Sequence, residues 1–500
     1  MEGLYINERF LAYRCVSIPS DKLYISWPCS SGKSGIKRES EIIKEARSIL
    51  PKLCEMDEYS QSIDDEVFTK KQYFELCARY FKDNSRFSQT LKKYFETDQE
   101  YEKQLKAIKK ILEKQPFRFY DEEKSKLLFG SDINISASQI EKYYLCKFSY
   151  FCKYGMLART RKKASFDALE YGNTIHFILE RFLKRHSKEE LLKLMKKDVE
   201  REIKEELDFY VEKRLGGFKD KTKRLNYLVS RLVKILLPLI IHLVDELSQS
   251  EFIPSDFELD LSHSNKVKPL KIKLLDGSFV NVDGKIDRVD MMCINGTDYV
   301  RIIDYKTGIK DFRLSDIVYG LNMQMLIYLE AIIKGGKGRY KKAIPAGVLY
   351  MPSKTPIINA DREYDILKIA QERNKKLRMN GLILDSNDVI YGMDKKAIGE
   401  FIPAVIKDGN SKSKDSLVDA SQINAIFKYI ERLIINMAME LKKGKIEAVP
   451  TKGEYDACEY CEYTSICGAK NAETVREIKK LSNDESFCKI LEGMEGANVE

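Results

Sequence analysis

At 500 residues the chain has room for about two to four domains at roughly 100–200 residues each. Its eleven cysteines, an odd and scattered number, argue against a disulfide framework and for the reducing cytoplasm. A net charge of +9 on a chain that is 33% charged admits a nucleic-acid partner without demanding one. The most apolar run, 232-LVKILLPLIIHLV-244, is too short to span a bilayer and carries Lys234, Pro238 and His242, so it reads as a buried helix and no membrane role is expected.

In chain order, residues 1 to about 60 pair a strand-like segment, 23-LYISW-27, with a polar turn, 29-CSSGKSG-35, and an amphipathic helix ending at Pro51. The turn lacks the glycine spacing of a phosphate-binding loop, so nucleotide binding there is rejected. From about 61 to 132, runs such as 101-YEKQLKAIKKILEKQ-115 predict a helical connector. A new unit opens at 136-SASQIEKYYLCKFSYFCKYG-155, with Ser138 as N-cap, Glu141 three residues later and Gly155 as the stop. Helices continue to about 250. Beyond Pro254 the pattern turns to strands at 256–261, 267–275, 279–292 and 298–306, then a helix at 315–333 and a strand at 345–351, which predicts a mixed α/β core. The basic runs at 161–163 and 341–342 read as solvated surface.

Chemistry concentrates at three places. In 299-YVRIIDYKTG-308, Asp304 and Lys306 lie two apart on a strand and leave the same face, while Tyr305 points the other way. Strand pairing could bring Asp287, from 284-GKIDRVD-290, beside Asp304, and two carboxylates on adjacent strands suit Mg2+ or Mn2+. An isolated D-x-K is usually a surface ion pair. Here an apolar run precedes it and a helix carrying Gln324 and Tyr328 on one face follows. His176, in 168-ALEYGNTIHFILERF-182, is a credible imidazole ligand. At the far end 456-DACEYCEYTSICGAK-470 presents Cys458, Cys461 and Cys467 as C-x2-C-x5-C. Zinc and cubane clusters both want four soft ligands, so this loop alone is three-quarters of a site.

Together these residues resemble the RecB-like branch of the PD-(D/E)XK nucleases, through G-x-x-x-H at 172–176, G-K-I-D-R-V-D at 284–290, I-I-D-Y-K-T-G at 302–308 and Q-x-x-x-Y at 324–328. Within that branch, 127-LLFG-130 and 136-SASQIEKYYLCKFSYF-151 are similar to the AddB family, which forms one half of the bacterial ATP-dependent helicase/deoxyribonuclease AddAB. The resemblance implies a restriction-endonuclease-like mixed sheet flanked by helices, with the nuclease domain at 133–470 and a C-terminal helix and tail at 471–500. It implies that His176, Asp287 and Asp304 hold the metal, that Lys306 is the catalytic lysine, and that Gln324 and Tyr328 contact substrate or order the site. It makes Cys146 the fourth ligand of a [4Fe-4S] cluster with Cys458, Cys461 and Cys467, with Cys152 as a nearby rival and Lys147 where the family commonly has proline. It implies DNA as substrate, cut as single-stranded ends, and an AddA-type helicase partner. Residues 1–60 are similar to the end of that family's helicase-like region, so Met1 reads as an internal start and no motor activity is expected. Two alternatives stand beside this: a Cas4-like or exonuclease-V-like nuclease, and a DNA-binding module whose acids do no chemistry.

Overall fold

The computed structural model describes the chain apart from residues 1, 29–37, 51, 53–68, 113–117, 120, 161–167, 216–222, 309–310, 355, 357, 359–364, 414, 468–473 and 496–500. The turn expected at 29–35 and the basic run at 161–163 lie outside the described residues. The chain divides into two units, Met1–Lys114 and Gln115–Glu500. The second therefore begins ahead of the expected 133, taking in the last part of the helical connector, and it includes the C-terminal tail.

The first unit holds α1 (Glu2–Ser17), α2 (Glu41–Ile49), α3 (Lys70–Arg79), α4 (Arg86–Glu96) and α5 (Glu102–Leu112). A reciprocal cap between Thr69 and Gln72 starts α3, and the Ser85 hydroxyl accepts from the Ser88 N–H to start α4. Leu76, Cys77, Leu91, Phe95 and Leu105 are buried together between them. The expected strand at 23–27 is extended chain that pairs with no strand among the described residues. Leu23, Tyr24 and Ile25 are exposed, so the run gains neither ladder bonds nor burial.

The second unit opens with α6 (Glu122–Phe129), β1 (Ile133–Ser136) and α7 (Ala137–Leu145). The cap of α7 is Ser136 with Gln139, not Ser138 with Glu141, because the strand runs directly into the helix and the first free N–H groups lie two residues earlier. The helix stops at Cys146, which is extended at φ −167° and ψ 116°; α8 (Lys147–Tyr150) and a π-helical turn at Phe151–Gly155 follow. Next come α9 (Ala168–Arg185), α10 (Lys188–Leu191), α11 (Lys196–Leu215) and α12 (Lys223–Gln249), the last carrying the apolar run with Pro238 inside it. No described helix is long and apolar enough to cross a membrane.

The strands follow as β2 (Ile253–Asp260), β3 (Leu270–Lys273), β4 (Phe279–Asp283), β5 (Lys285–Ile294) and β6 (Thr297–Lys306), then α13 (Leu314–Val318), α14 (Gln324–Gly335) and β7 (Ile344–Pro352). After them come α15 (Ile366–Leu377), β8 (Asn380–Leu384), α16 (Asn387–Met393), β9 (Val405–Lys407), β10 (Asn410–Lys412), β11 (Leu417–Val418) and α17 (Ala420–Lys442). The chain closes with β12 (Thr451–Gly453), α18 (Thr464–Cys467), β13 (Arg476–Ile478) and α19 (Asn483–Glu495). Among the described residues, one mixed sheet runs β11-β8-β7-β6-β5-β2, with β6 parallel to β7 and antiparallel to β5.

The single strand expected over 279–292 is two, β4 and β5, which join different sheets on either side of Gly284. The single helix expected over 315–333 is also two. Gly320 (φ 80°) and Asn322 (φ 53°) turn the chain between α13 and α14, and a β-carbon on Gly320 would meet the Tyr144 ring at 2.4 Å. One continuous core joins the sheet to α9, α11, α12, α14 and α17.

Candidate metal centre and cysteine cluster

Register builds the site. Phe257 pairs with Arg288 and Leu259 with Ile286, which sets Glu258 of β2 opposite Asp287 of β5. Arg288 pairs with Ile303, which sets Asp287 opposite Asp304 of β6. Three carboxylates therefore form one row across three neighbouring strands spaced about 4.8 Å apart. Lys306, two residues beyond Asp304 on the same face, brings its Nζ to 2.6 Å from Asp304 Oδ2.

From α9 His176 reaches the same row. Its Nε2 lies 2.9 Å from the Tyr305 carbonyl oxygen and its Nδ1 lies 3.3 Å from Asp287 Oδ2. A carbonyl only accepts, so Nε2 carries a proton and donates, and Nδ1 is the nitrogen offered to the acids or to a cation. The Tyr305 N–H donates to Asp287 Oδ2 at 3.0 Å. Ligand atoms of His176, Glu258 and Asp287 lie within 4.8 Å of one another.

Electrostatics mark the row as a cation site. Burial, followed by the charge of Asp287, pushes the Asp304 carboxyl up to about 6 against the pull of Lys306. Asp304 Oδ2 is buried and has no aligned hydrogen bond, its lysine contact being close but off-axis. Burial works against charge on His176, but the hydrogen bond to Asp287 and the fields of Asp287, Asp304 and Glu258 hold it above the usual histidine value. Glu258 has φ 49°, a backbone region that costs a non-glycine residue about 1–3 kcal/mol, and it pairs with Lys285 Nζ at 2.6 Å. Crowded carboxylates, one imidazole nitrogen and an orphaned buried oxygen fit a hard divalent ion.

Gln324 and Tyr328 come to the site along one face of α14. The Gln324 side chain and the Lys285 backbone N–H bond the Tyr328 oxygen, and burial pushes that phenol up to about 12. Beyond Lys306 opens a cleft of about 580 Å³ lined by Gly308, Asp311, Arg313, Asn322, Glu454 and Tyr455. Every acid, base and amide expected from sequence is thus gathered here. Glu258 was not expected: a lone acid in a strand has no local signal, and only the β2–β5 register puts it beside Asp287.

The cysteines gather separately. Cys146 and Cys152 are buried with Phe148 and Tyr463, and Cys461 and Cys467 pack against them. Burial pushes the Cys146, Cys152 and Cys458 thiols up, and neighbouring sulfurs push the same way. Backbone N–H groups of Ser149 and Phe148 point at the Cys146 sulfur, a consequence of the helix break there. Lys147 sets its Nζ 2.7 Å from Glu440 of α17, an oxygen that also accepts from the Tyr143 hydroxyl at 2.6 Å. Parallel pairing of β12 with β13 closes the root of the loop that carries Cys458, Cys461 and Cys467.

The family model described as the PD-(D/E)XK nuclease superfamily matches residues 134–468. The chain is also similar to AddB proteins, each named as a component of an ATP-dependent helicase/deoxyribonuclease. It is 29% identical to that of Clostridium acetobutylicum over 97% of this chain and 44% of the relative. For Caldanaerobacter subterraneus subsp. tengcongensis the figures are 30%, 97% and 44%, and for Thermoanaerobacter sp. (strain X514) 32%, 92% and 42%. The chain spans less than half the length of these curated relatives.

Proposed function

The chain belongs to the PD-(D/E)XK nuclease superfamily, and on that premise we propose that it hydrolyses phosphodiester bonds of DNA at the carboxylate row. The observation that carries this reading is the register placing Glu258, Asp287 and Asp304 side by side with Lys306 at 2.6 Å from Asp304. Asp287, Asp304 and His176 would hold Mg2+ or Mn2+, with Glu258 close enough to join them. Such an ion, when bound, neutralises charge on the phosphate and acidifies a bound water. Lys306 keeps a positive charge beside the row, where it steadies the attacking water or the charge growing on phosphate. Gln324 and Tyr328 order the wall next to Asp287.

The names of the relatives support DNA as the substrate and membership of a multi-subunit helicase/deoxyribonuclease, with an AddA-type partner and single-stranded ends as what is cut. We place the protein in the cytoplasm, in keeping with its odd, scattered cysteines. Cys146, Cys458, Cys461 and Cys467 hold a [4Fe-4S] cluster that ties the start of the nuclease domain to its end, supported by their shared pocket and by N–H groups aimed at Cys146. Incubation of the chain with a linear DNA substrate tests the reading. Cutting that needs Mg2+ or Mn2+ and falls at least a hundredfold in Lys306→Ala is expected; equal cutting by Lys306→Ala, or cutting in EDTA, contradicts it.

A further inference from the structure

Behind the carboxylate row, on the other face of the same strands, lies a buried ion network. Arg288 and Asp290 of β5, Arg301 of β6 and Glu246 of α12 are each at most 1% exposed. Arg288 donates to both Asp290 oxygens at 2.7 Å. Arg301 donates to Asp290 Oδ2 at 2.9 Å and to Glu246 Oε1 at 2.7 Å, and its guanidinium lies 4.7 Å over the Phe252 ring. Two cations and two anions balance. Stability does not explain them, since apolar replacement of such a network is often neutral or stabilising.

Position does explain them. Asp290 is paired with Arg301 and Arg288 with Ile303, so the network grips β5 and β6 just short of Asp287 and Asp304. Tyr305 lies diagonal to Arg288 on the network's face, buried, with its hydroxyl against the Arg288 guanidinium. The peptide of that same residue holds both metal-site partners, its N–H on Asp287 at 3.0 Å and its carbonyl on His176 at 2.9 Å.

We propose that Arg288, fixed by Asp290, Arg301 and Glu246, is a positioning residue for the metal centre: it anchors Tyr305 behind the sheet so that the Tyr305 peptide aims Asp287 and His176 together. What the centre does rests on the nuclease reading; how it is held does not. Outer partners of metal ligands typically change metal affinity by about 10–100-fold.

The test uses the full chain carrying Arg288→Lys, which keeps the charge and loses the two-pronged bond, and Tyr305→Phe, which keeps every charge paired and loses only the hydroxyl. Two quantities are read: amide exchange at Tyr305 without metal, and the Mn2+ dissociation constant. In Arg288→Lys, Tyr305 exchange at least tenfold faster and Mn2+ binding at least tenfold weaker are expected, with exchange in α14 and the unfolding midpoint unchanged. Should Arg288→Lys fail to fold, Tyr305→Phe is read by the same two quantities with the same signs. A folded variant with wild-type exchange at Tyr305 and wild-type Mn2+ affinity overturns the proposal. If the wild-type chain takes up no Mn2+, the nuclease reading falls, and the exchange measurement alone then decides whether the anchor exists.

Discussion

The β-carbon that Gly284 lacks would sit 2.3 Å from the ring and hydroxyl of Tyr328. Gly284 has no left-handed backbone, so the restriction is purely one of space: the phenol lies against the bare backbone immediately before β5. That contact sets where β5 begins, and Asp287 is two residues past the start of the strand.

Gly284→Ala should therefore unseat Tyr328 and cost about 1–3 kcal/mol in unfolding free energy, with a larger loss of DNA cutting than of stability. A double-mutant cycle with Tyr328→Leu checks the cause: the cost of Gly284→Ala should shrink in that background. An unchanged cost would mean that the glycine serves something other than the ring.

Asp304 gives a pH prediction with a definite sign. Its folded-state pKa is raised to about 6, from burial and then Asp287, so in the metal-free protein this group stabilises the fold below the ordinary carboxylate range and that contribution is lost as pH rises through about 6. Asp304→Asn removes the penalty. In EDTA at pH 7.5 the variant should be more stable than wild type by up to roughly 3 kcal/mol, with the gap closing below pH about 4. Denaturant unfolding at the two pH values measures it, and a variant less stable at both would refute the assignment.

His176 is held above the usual histidine value by Asp287 and its neighbouring acids although burial opposes it, so a metal must displace the proton on Nδ1. Mn2+ affinity should rise with pH through the region just above about 6.5, with about one proton released per ion. Calorimetry in two buffers of different ionisation enthalpy reads the proton. In His176→Gln the release should vanish.

For the cysteines, Cys461→Ala and Cys146→Ala should each lose most of their iron in anaerobic preparations and lower the unfolding midpoint, while Cys152→Ser keeps its iron. Iron retained in Cys146→Ala together with iron lost in Cys152→Ser would exchange the two in the ligand set.

Much of this site can be read in the sequence because its signals are local. D-x-K on a strand fixes a shared face by the two-residue period, and Gln324 with Tyr328 shares a helix face by the four-residue one. The break at Gly284 cannot be read, because 279–292 alternates like one strand and the obstacle, Tyr328, lies on α14. Glu258 is silent for the same reason, its meaning residing in a pairing between β2 and β5. The cap of α7 falls two residues ahead of the expected one because β1 leads straight into it, a context that capping patterns do not carry. The partnership of Cys146 with the far cysteine loop rests on resemblance, since no spacing rule reaches across 146–458.

The most direct measurement is an anomalous difference map from crystals soaked in Mn2+. One strong peak is expected among Asp287, Asp304 and the Nδ1 atom of His176. Crystals that show no peak at this row, from protein that still cuts DNA in the same Mn2+ concentration, would contradict the row as the metal centre of the reaction.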